Sequence, residues 1–463
     1  MRTAALLIAA ALAASPALLL ADDWPQFLGP KADDTSVETG LLDHLPAPIL
    51  WQREIGSGYS APSVREGILV FHHRLGDEEI VEACEAETGK PRWKATYPSH
   101  YVDPFGYNNG PRCTPLLTAD RCYTFGAEGV LLCLDLKTGA EIWRRNTADD
   151  FHIAEAFFGV GSTPILEGNL LIAILGGQPN SGVVAFDAAT GKTVWESVGE
   201  KNWNGAPMIG WPGARAIDWN PDDPLYQKQA SYCAPVAATI HGQRQILCCT
   251  RQGLVSLDPK TGAVNFSYWF RSRQDASVNA MTPVVQDDLI LISSAYYKTG
   301  SALLRVRADN HGVTEVWRGL QLEMHWSRPV LDRGFLYAFS GRNEPDARFR
   351  CVELATGALK WDRPEGWPNA GHSKLREGEP APEVYGRGSG ILADGKFIVL
   401  GETGRLGIFR PNPEKIDEVS HWQVPSLSYP CWAGPVLANR RLYLRSEDHL
   451  LCLDFAATSA GKP

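Results

Sequence analysis

Leu131-Leu132-Cys133-Leu134-Asp135-Leu136-Lys137-Thr138-Gly139-Ala140-Glu141-Ile142-Trp143 is the stretch on which the fold turns. An apolar strand leads into Thr-Gly, and an aromatic residue follows at a fixed distance. Glycine takes the positive φ of a tight hairpin at no steric cost. The aromatic then falls on the returning strand, where a flat ring fills the gap between neighbouring sheets. The element recurs at Thr88-Gly89 to Trp93, Thr190-Gly191 to Trp195, Thr261-Gly262 to Phe266 and Thr356-Gly357 to Trp361. An acidic residue stands three before each Thr: Glu85, Asp135, Asp187, Asp258 and Glu353.

A second mark opens each unit, a residue before Pro: Ala61-Pro62, Thr114-Pro115, Thr163-Pro164, Ala234-Pro235, Thr282-Pro283, Arg328-Pro329 and Gly434-Pro435, with Ser389-Gly390 in the matching place of one further unit. Short turns such as Arg65-Glu66-Gly67 and Ala393-Asp394-Gly395 follow, between apolar strands. Four strands per repeat without helical periodicity predict an all-β, eight-bladed β-propeller of four-stranded antiparallel blades. The outer-strand aromatics also number eight: Trp93, Trp143, Trp195, Phe266, Trp317, Trp361, Trp422 and Trp51. The last unit stops after Leu451-Cys452-Leu453-Asp454, one strand short, while Ile49 to Ile55 precedes the first unit with no strands of its own. The N-terminal strand is therefore expected to complete the last blade and leave no open edge. Blades five and seven lack the Thr-Gly turn (Asn310-His311-Gly312, Pro411-Asn412-Pro413) and are placed by length and Trp spacing. A pair of β-sandwich domains is the alternative.

Composition narrows the function. The chain has 463 residues, a formal charge of −9 and 44% hydrophobic residues, which excludes disorder as its main state. An acidic chain lacks the basic surface that phosphate backbones require, so nucleic acid is not an expected partner. Arg2, the apolar run from Ala4 to Ala14 and the small residues up to Ala21 read as a cleaved signal peptide over 1–21, leaving the propeller at 22–463. An uncleaved anchor is the alternative, weakened by Ser15-Pro16. No other stretch reads as a membrane span. The expectation is a secreted or periplasmic monomer.

In a four-stranded blade the first-to-second and third-to-fourth turns share one face. They are minimal here. The second-to-third and inter-blade connections share the other face and are expected to be long, leaving one face built up and the other bare. Long loops on a rigid scaffold are where function concentrates. Candidates on the loop-rich face are Asp103, Asn108, Arg112, Tyr232, Arg271, Arg273, Asn279, His325, Glu344 and Arg387, with Trp203, Trp211, Asp218, Trp219, Asp222 and Asp223 in a further loop. Arg and Trp converging on a funnel suit a flat polyanion or an aromatic-anchored protein segment.

These motifs resemble the pyrroloquinoline quinone (PQQ) repeat propellers, whose hallmark is the Asp-x-x-Thr-Gly-x-x-x-Trp element. The opening Asp23-Trp24-Pro25-Gln26-Phe27-Leu28-Gly29-Pro30 and the later Ala230-Ser231-Tyr232-Cys233-Ala234-Pro235 look like a secreted bacterial branch of that superfamily. The resemblance covers essentially the whole of 22–463 and implies the fold far more specifically than an activity. It implies two functions. One is a binding or scaffolding platform whose loop-rich face engages an envelope protein or polymer. The other is a PQQ-dependent alcohol or sugar dehydrogenase, with PQQ and Ca²⁺ in the funnel near Arg251, Trp326 and Arg342. Such an enzyme needs a planar floor, arginines for carboxylates, a hard cation with oxygen ligands and a general base. No linear signature for the cation ligands or the base is present. Cys248-Cys249 is similar to the adjacent-cysteine disulfide of many such enzymes, yet reads equally as the end of a core strand. Cys133, Cys351 and Cys452 share one repeat position and read as free core thiols. No Cys-x-x-Cys-His haem site, zinc-ligand spacing, nucleophile elbow or P-loop occurs. A carboxylate pair brought together only in space is invisible at this level.

Overall fold

The computed structural model describes residues 22–153, 157–177, 179–199, 231–272, 277–367 and 382–457. The leader at 1–21, Arg273 and the loop carrying Trp203, Trp211, Asp218, Trp219, Asp222 and Asp223 lie outside the described residues. The strands form eight four-stranded antiparallel sheets. All but one use consecutive strands, as in Ser63–Arg65, Ile68–Leu75, Glu78–Glu85 and Pro91–Pro98. The exception sets Ile49–Glu54 beside His449–Asp454, with Trp51 opposite Cys452 and Gln52 opposite Leu451. The expected closure is therefore present, and it covers an edge that would otherwise be left unpaired. No helix among the described residues is long and apolar enough to cross a membrane.

The core lies between blades rather than within one. Consecutive strand residues point to opposite faces. Leu69 and Phe71 accordingly pack with Tyr443 and Leu451 of the eighth blade, while Val70 packs with Cys122 and Leu132 of the second.

The Thr-Gly element is a joint between neighbours. Each acidic residue accepts a hydrogen bond from the Thr hydroxyl three residues on, as in Thr138 Oγ1 to Asp135 at 2.7 Å. The outer Trp of the preceding blade then lies on the glycine. A Cβ on Gly89, Gly139, Gly191, Gly262 or Gly357 would come within 2.5–2.9 Å of the indole of Trp51, Trp93, Trp143, Trp195 or Trp317 respectively. The indole N–H of these residues donates to a backbone carbonyl of the next blade, as in Trp51 to Ala86 and Trp143 to Ala188. Glycine is thus required twice, by a φ near 70° and by the absence of a side chain. Trp51 joins this belt across the closure, from the eighth blade to the first.

The cysteine slot has the same logic. Cys133, Cys351 and Cys452 each sit opposite the outer Trp of their own blade, where Ala83, Ala185 and Ser256 stand elsewhere. All ten cysteines are buried and free. Cys248 and Cys249 are successive residues of Gln243–Cys249 and enter different inter-blade cores, so a core strand accounts for them rather than a disulfide.

Two expectations need correction. Most second-to-third connections are short (76–77, 250–252, 402–404), because adjacent antiparallel strands need only a turn, while 295–299 and 341–347 are longer. The longest connections are the inter-blade ones, since they must run from the outer edge of one blade to the inner edge of the next. Nor is the turn face bare. Residues 22–45 cross its centre, and Trp24, Pro25 and Asp34 form backbone hydrogen bonds with Val64, Leu117 and Leu392 of three innermost strands. Without that arm, these backbone groups at the axis would lack partners. Buried Glu38 fixes the arm by accepting the N–H groups of Asn439 and Arg440.

Candidate functional site

The chain enters each innermost strand in extended form, so side chains alternate between the axis and the inter-blade core. Counting three back from the opening Pro, or from Gly390 in the seventh blade, gives Tyr59, Arg112, Gly161, Tyr232, Ala280, Trp326, Arg387 and Trp432. All eight line one axial cavity of about 350 Å³. One residue before the Pro, Ala61, Thr114, Thr163, Arg328, Ser389 and Gly434 form a deeper tier of the same cavity. The residues between the tiers, such as Ser60, Cys113, Ser162 and Cys233, are buried away from the axis. Trp24, Phe27, Leu28 and Asp34 of the N-terminal arm also line the cavity, so it is a cup with a floor.

Aromatic rings run around the wall. Tyr296 meets His325 at 5.4 Å, Trp326 meets Trp432 at 5.1 Å, Trp432 meets Tyr107 at 5.6 Å, and Tyr107 meets Phe158 at 5.9 Å. Phe158 continues to Tyr232, whose hydroxyl accepts the Phe158 N–H at 2.7 Å. Phe105 and Tyr107 stand at the mouth, 55% and 42% exposed.

Arginines are set among the rings, and most are neutralised. Arg112 pairs with Asp103 at 2.7 Å. Arg387 pairs with buried Glu402 at 2.7 Å and also with Glu344, while packing over the Trp326 ring at 4.4 Å. Arg328 lies 4.0 Å from Asp34 of the floor. Burial disfavours the Arg387 charge, but Glu402 and Glu344 outweigh it and hold its pKa above the usual arginine value. Burial, reinforced by Arg387 and Arg342, pushes His325 down to about 3, so its imidazole is neutral. Burial raises Asp34 to about 7 against the pull of Arg328.

The sequence candidates divide accordingly. Arg112, Tyr232, His325, Trp326, Arg342, Glu344 and Arg387 line the cup. Asp103 and Asn108 stand behind the wall: Asp103 holds Arg112 and the Phe105 N–H, and Asn108 donates to Glu447. Asn279 ties the carbonyls of Thr250 and Phe270 together, Arg251 donates to Ser277 O, and Arg271 is buried. Sequence reasoning missed Tyr59, Phe157, Phe158, Trp432 and the whole floor. The signal for Tyr59 and Trp432 was available, because each stands three residues before a blade-opening Pro.

PQQ with a hard cation does not fit the described residues. A planar floor is lacking, since Arg387 covers Trp326 and the Trp432 ring is tilted 47° to it. The carboxylates in and behind the wall are committed to arginines, with Glu402 also accepting the Trp432 indole N–H at 2.8 Å. No group of three or more His, Cys, Asp or Glu suited to a metal ion occurs among the described residues.

Comparisons with known proteins agree on the fold. The family model described as outer membrane protein assembly factor BamB, of the PQQ-repeat class, matches residues 76–363. The structure is similar to BamB from Moraxella catarrhalis, with a TM-score of 0.56 and 15% identity over 89% of this chain and 99% of that one. It is also similar to a quinohemoprotein alcohol dehydrogenase from Comamonas testosteroni, with a TM-score of 0.63 and 13% identity over 95% of this chain and 81% of that one. A europium-containing methanol dehydrogenase gives 0.61 at 12% identity, over 91% of this chain and 89% of that one. No curated protein sequence matches. Identities this low speak for the fold alone.

Proposed function

The chain belongs to the PQQ-repeat propeller family, and from that premise we propose that it is an exported binding platform whose axial cup and surrounding loops hold a segment of an envelope protein or polymer. One observation carries the reading. Eight structurally equivalent positions converge on the cup with unlike side chains, four of them aromatic and two arginine. Rigid aromatic and arginine anchors in a concave pocket are the usual makings of a binding hot spot. Phe105 and Tyr107 supply exposed apolar surface at the rim, where a partner would first make contact. The family's assembly-factor description is in keeping with this role.

Immobilised protein should capture a discrete set of envelope components, and a variant carrying Phe105→Ser and Tyr107→Ser should lose them while keeping its melting temperature. Equal capture by both proteins, or none by either, rejects the platform. The dehydrogenase reading makes the opposite demand on the cup. A native-state ligand at 100 times its Kd stabilises by about 2.7 kcal/mol. PQQ with Ca²⁺ is expected to leave the melting temperature unchanged, and a clear rise would restore the enzyme.

A further inference from the structure

Among the described residues, one arginine lining the cup makes no ion pair. Arg112, Arg387 and Arg328 each face a carboxylate, whereas Arg342 makes no ion pair and its guanidinium donates no hydrogen bond among the described residues. It is nevertheless held in place. Its guanidinium carbon lies 4.5 Å from the Tyr296 ring centre and 4.6 Å from that of Tyr297, in the corner the two rings make. Its backbone carbonyl accepts a hydrogen bond from Arg387 at 2.6 Å.

The corner is built at a conformational cost. Tyr297 and the following Lys298 both adopt left-handed backbone, φ 50° and 59°, and Thr299 closes the turn by donating its hydroxyl to Tyr296 O. Left-handed non-glycine residues persist where surrounding structure over-determines them, and they concentrate at binding sites. The same wall carries a second open donor: Trp326 Nε1 is buried and has no hydrogen-bond partner. A fixed guanidinium with its donors unspent is a receptor for a carboxylate, which it meets through two parallel hydrogen bonds. The surrounding rings are suited to a flat apolar body.

We propose that the cup binds an aromatic group bearing a single carboxylate, which Arg342 receives while the ring lies against the aromatic wall. The charge balance selects a monoanion: among the described residues one guanidinium of the cup is without an ion pair, and Glu344 nearby opposes further negative charge. This proposal rests on reading the cup as a binding site. The chemistry could belong to a free aromatic acid or to an aromatic residue at a polypeptide C-terminus.

N-acetyl-tryptophan and its amide form a matched pair, alike except for the charge. Calorimetric titration of the full chain should give a Kd roughly tenfold lower for the acid, a difference that shrinks with added salt. Arg342→Gln should erase that preference while leaving the amide's affinity unchanged, and Arg342→Lys, which keeps the charge but not the fork, should retain part of it. If the Gln variant fails to fold, the Lys variant carries the test and must lower the preference at least threefold. A tripeptide Ala-Ala-Trp, tighter than the free acid only when its C-terminus is unamidated, assigns the polypeptide source; otherwise the free acid is the ligand. Equal affinities for acid and amide, a preference that survives in Arg342→Gln, or no binding of either probe overturns the inference. If envelope capture still depends on Phe105 and Tyr107 in that event, the platform stands and only the ligand class has failed.

Discussion

The outer belt and the axial cup are both rings of eight equivalent positions, and they use their repetition differently. In the belt, one indole rests on one glycine, and five of the joints are near copies. In the cup, the position three before the blade-opening Pro holds Tyr, Arg, Gly, Ala or Trp as the blade changes. A belt contact is always between one blade and the next, so the same physics selects the same residues each time. The cup faces whatever occupies the axis, which has no eightfold symmetry. Within a repeat protein, then, sameness marks structure and departure from sameness marks the site.

The contrast can be broken most directly at the belt. Trp143→Ala and Trp195→Ala remove side chains that are each 8% exposed and should each cost about 3–5 kcal/mol in denaturant unfolding. Costs that differ by more than a factor of two would mean that the joints are not equivalent. Gly139→Ala places a methyl against Trp93 at a φ of 73° and should cost about 2–3 kcal/mol. Near-neutral behaviour would show that the belt tolerates a side chain there.

The cup should respond to pH more than to truncation. The His325 pKa is depressed to about 3, so below about 6.5 the unfolded chain takes up a proton that the folded chain refuses. Stability should fall as pH drops through that window and level off near pH 3. His325→Gln should recover about 2 kcal/mol of the loss between pH 6.5 and 5, part of the remainder belonging to His73, which is depressed in the same way. Identical pH profiles for variant and parent would show that His325 protonates freely. The smallest effect is expected at the rim, where Phe105→Ser should change stability by no more than about 0.5 kcal/mol. A larger loss would make the rim part of the scaffold.

Much of the fold was legible because its contacts are local or repeated. Thr-Gly, the acidic residue three before it and the following Trp lie within one hairpin, and the unpaired Trp51 strand pointed to the closure. The site was legible only in part. Arg112, Trp326 and Arg387 drew attention as residue types, but their equivalence to Tyr59 and Trp432 depends on which way an extended segment faces. Asp103 and Asn279 resemble binding groups in a loop, yet they hold that loop together from behind.

The sequence by itself pointed to the ring, its blade number and its closure, because each follows from the recurrence of one hairpin element and from the strand left over at each end. Only the tertiary structure decided that Trp24, Leu28 and Asp34 floor the axis, that Cys248 and Cys249 enter different cores, and that Arg342 faces the cup without a carboxylate partner among the described residues. Those outcomes depend on which groups from distant blades meet at the axis, and charge pairing there acts over a few ångströms of space rather than along the chain.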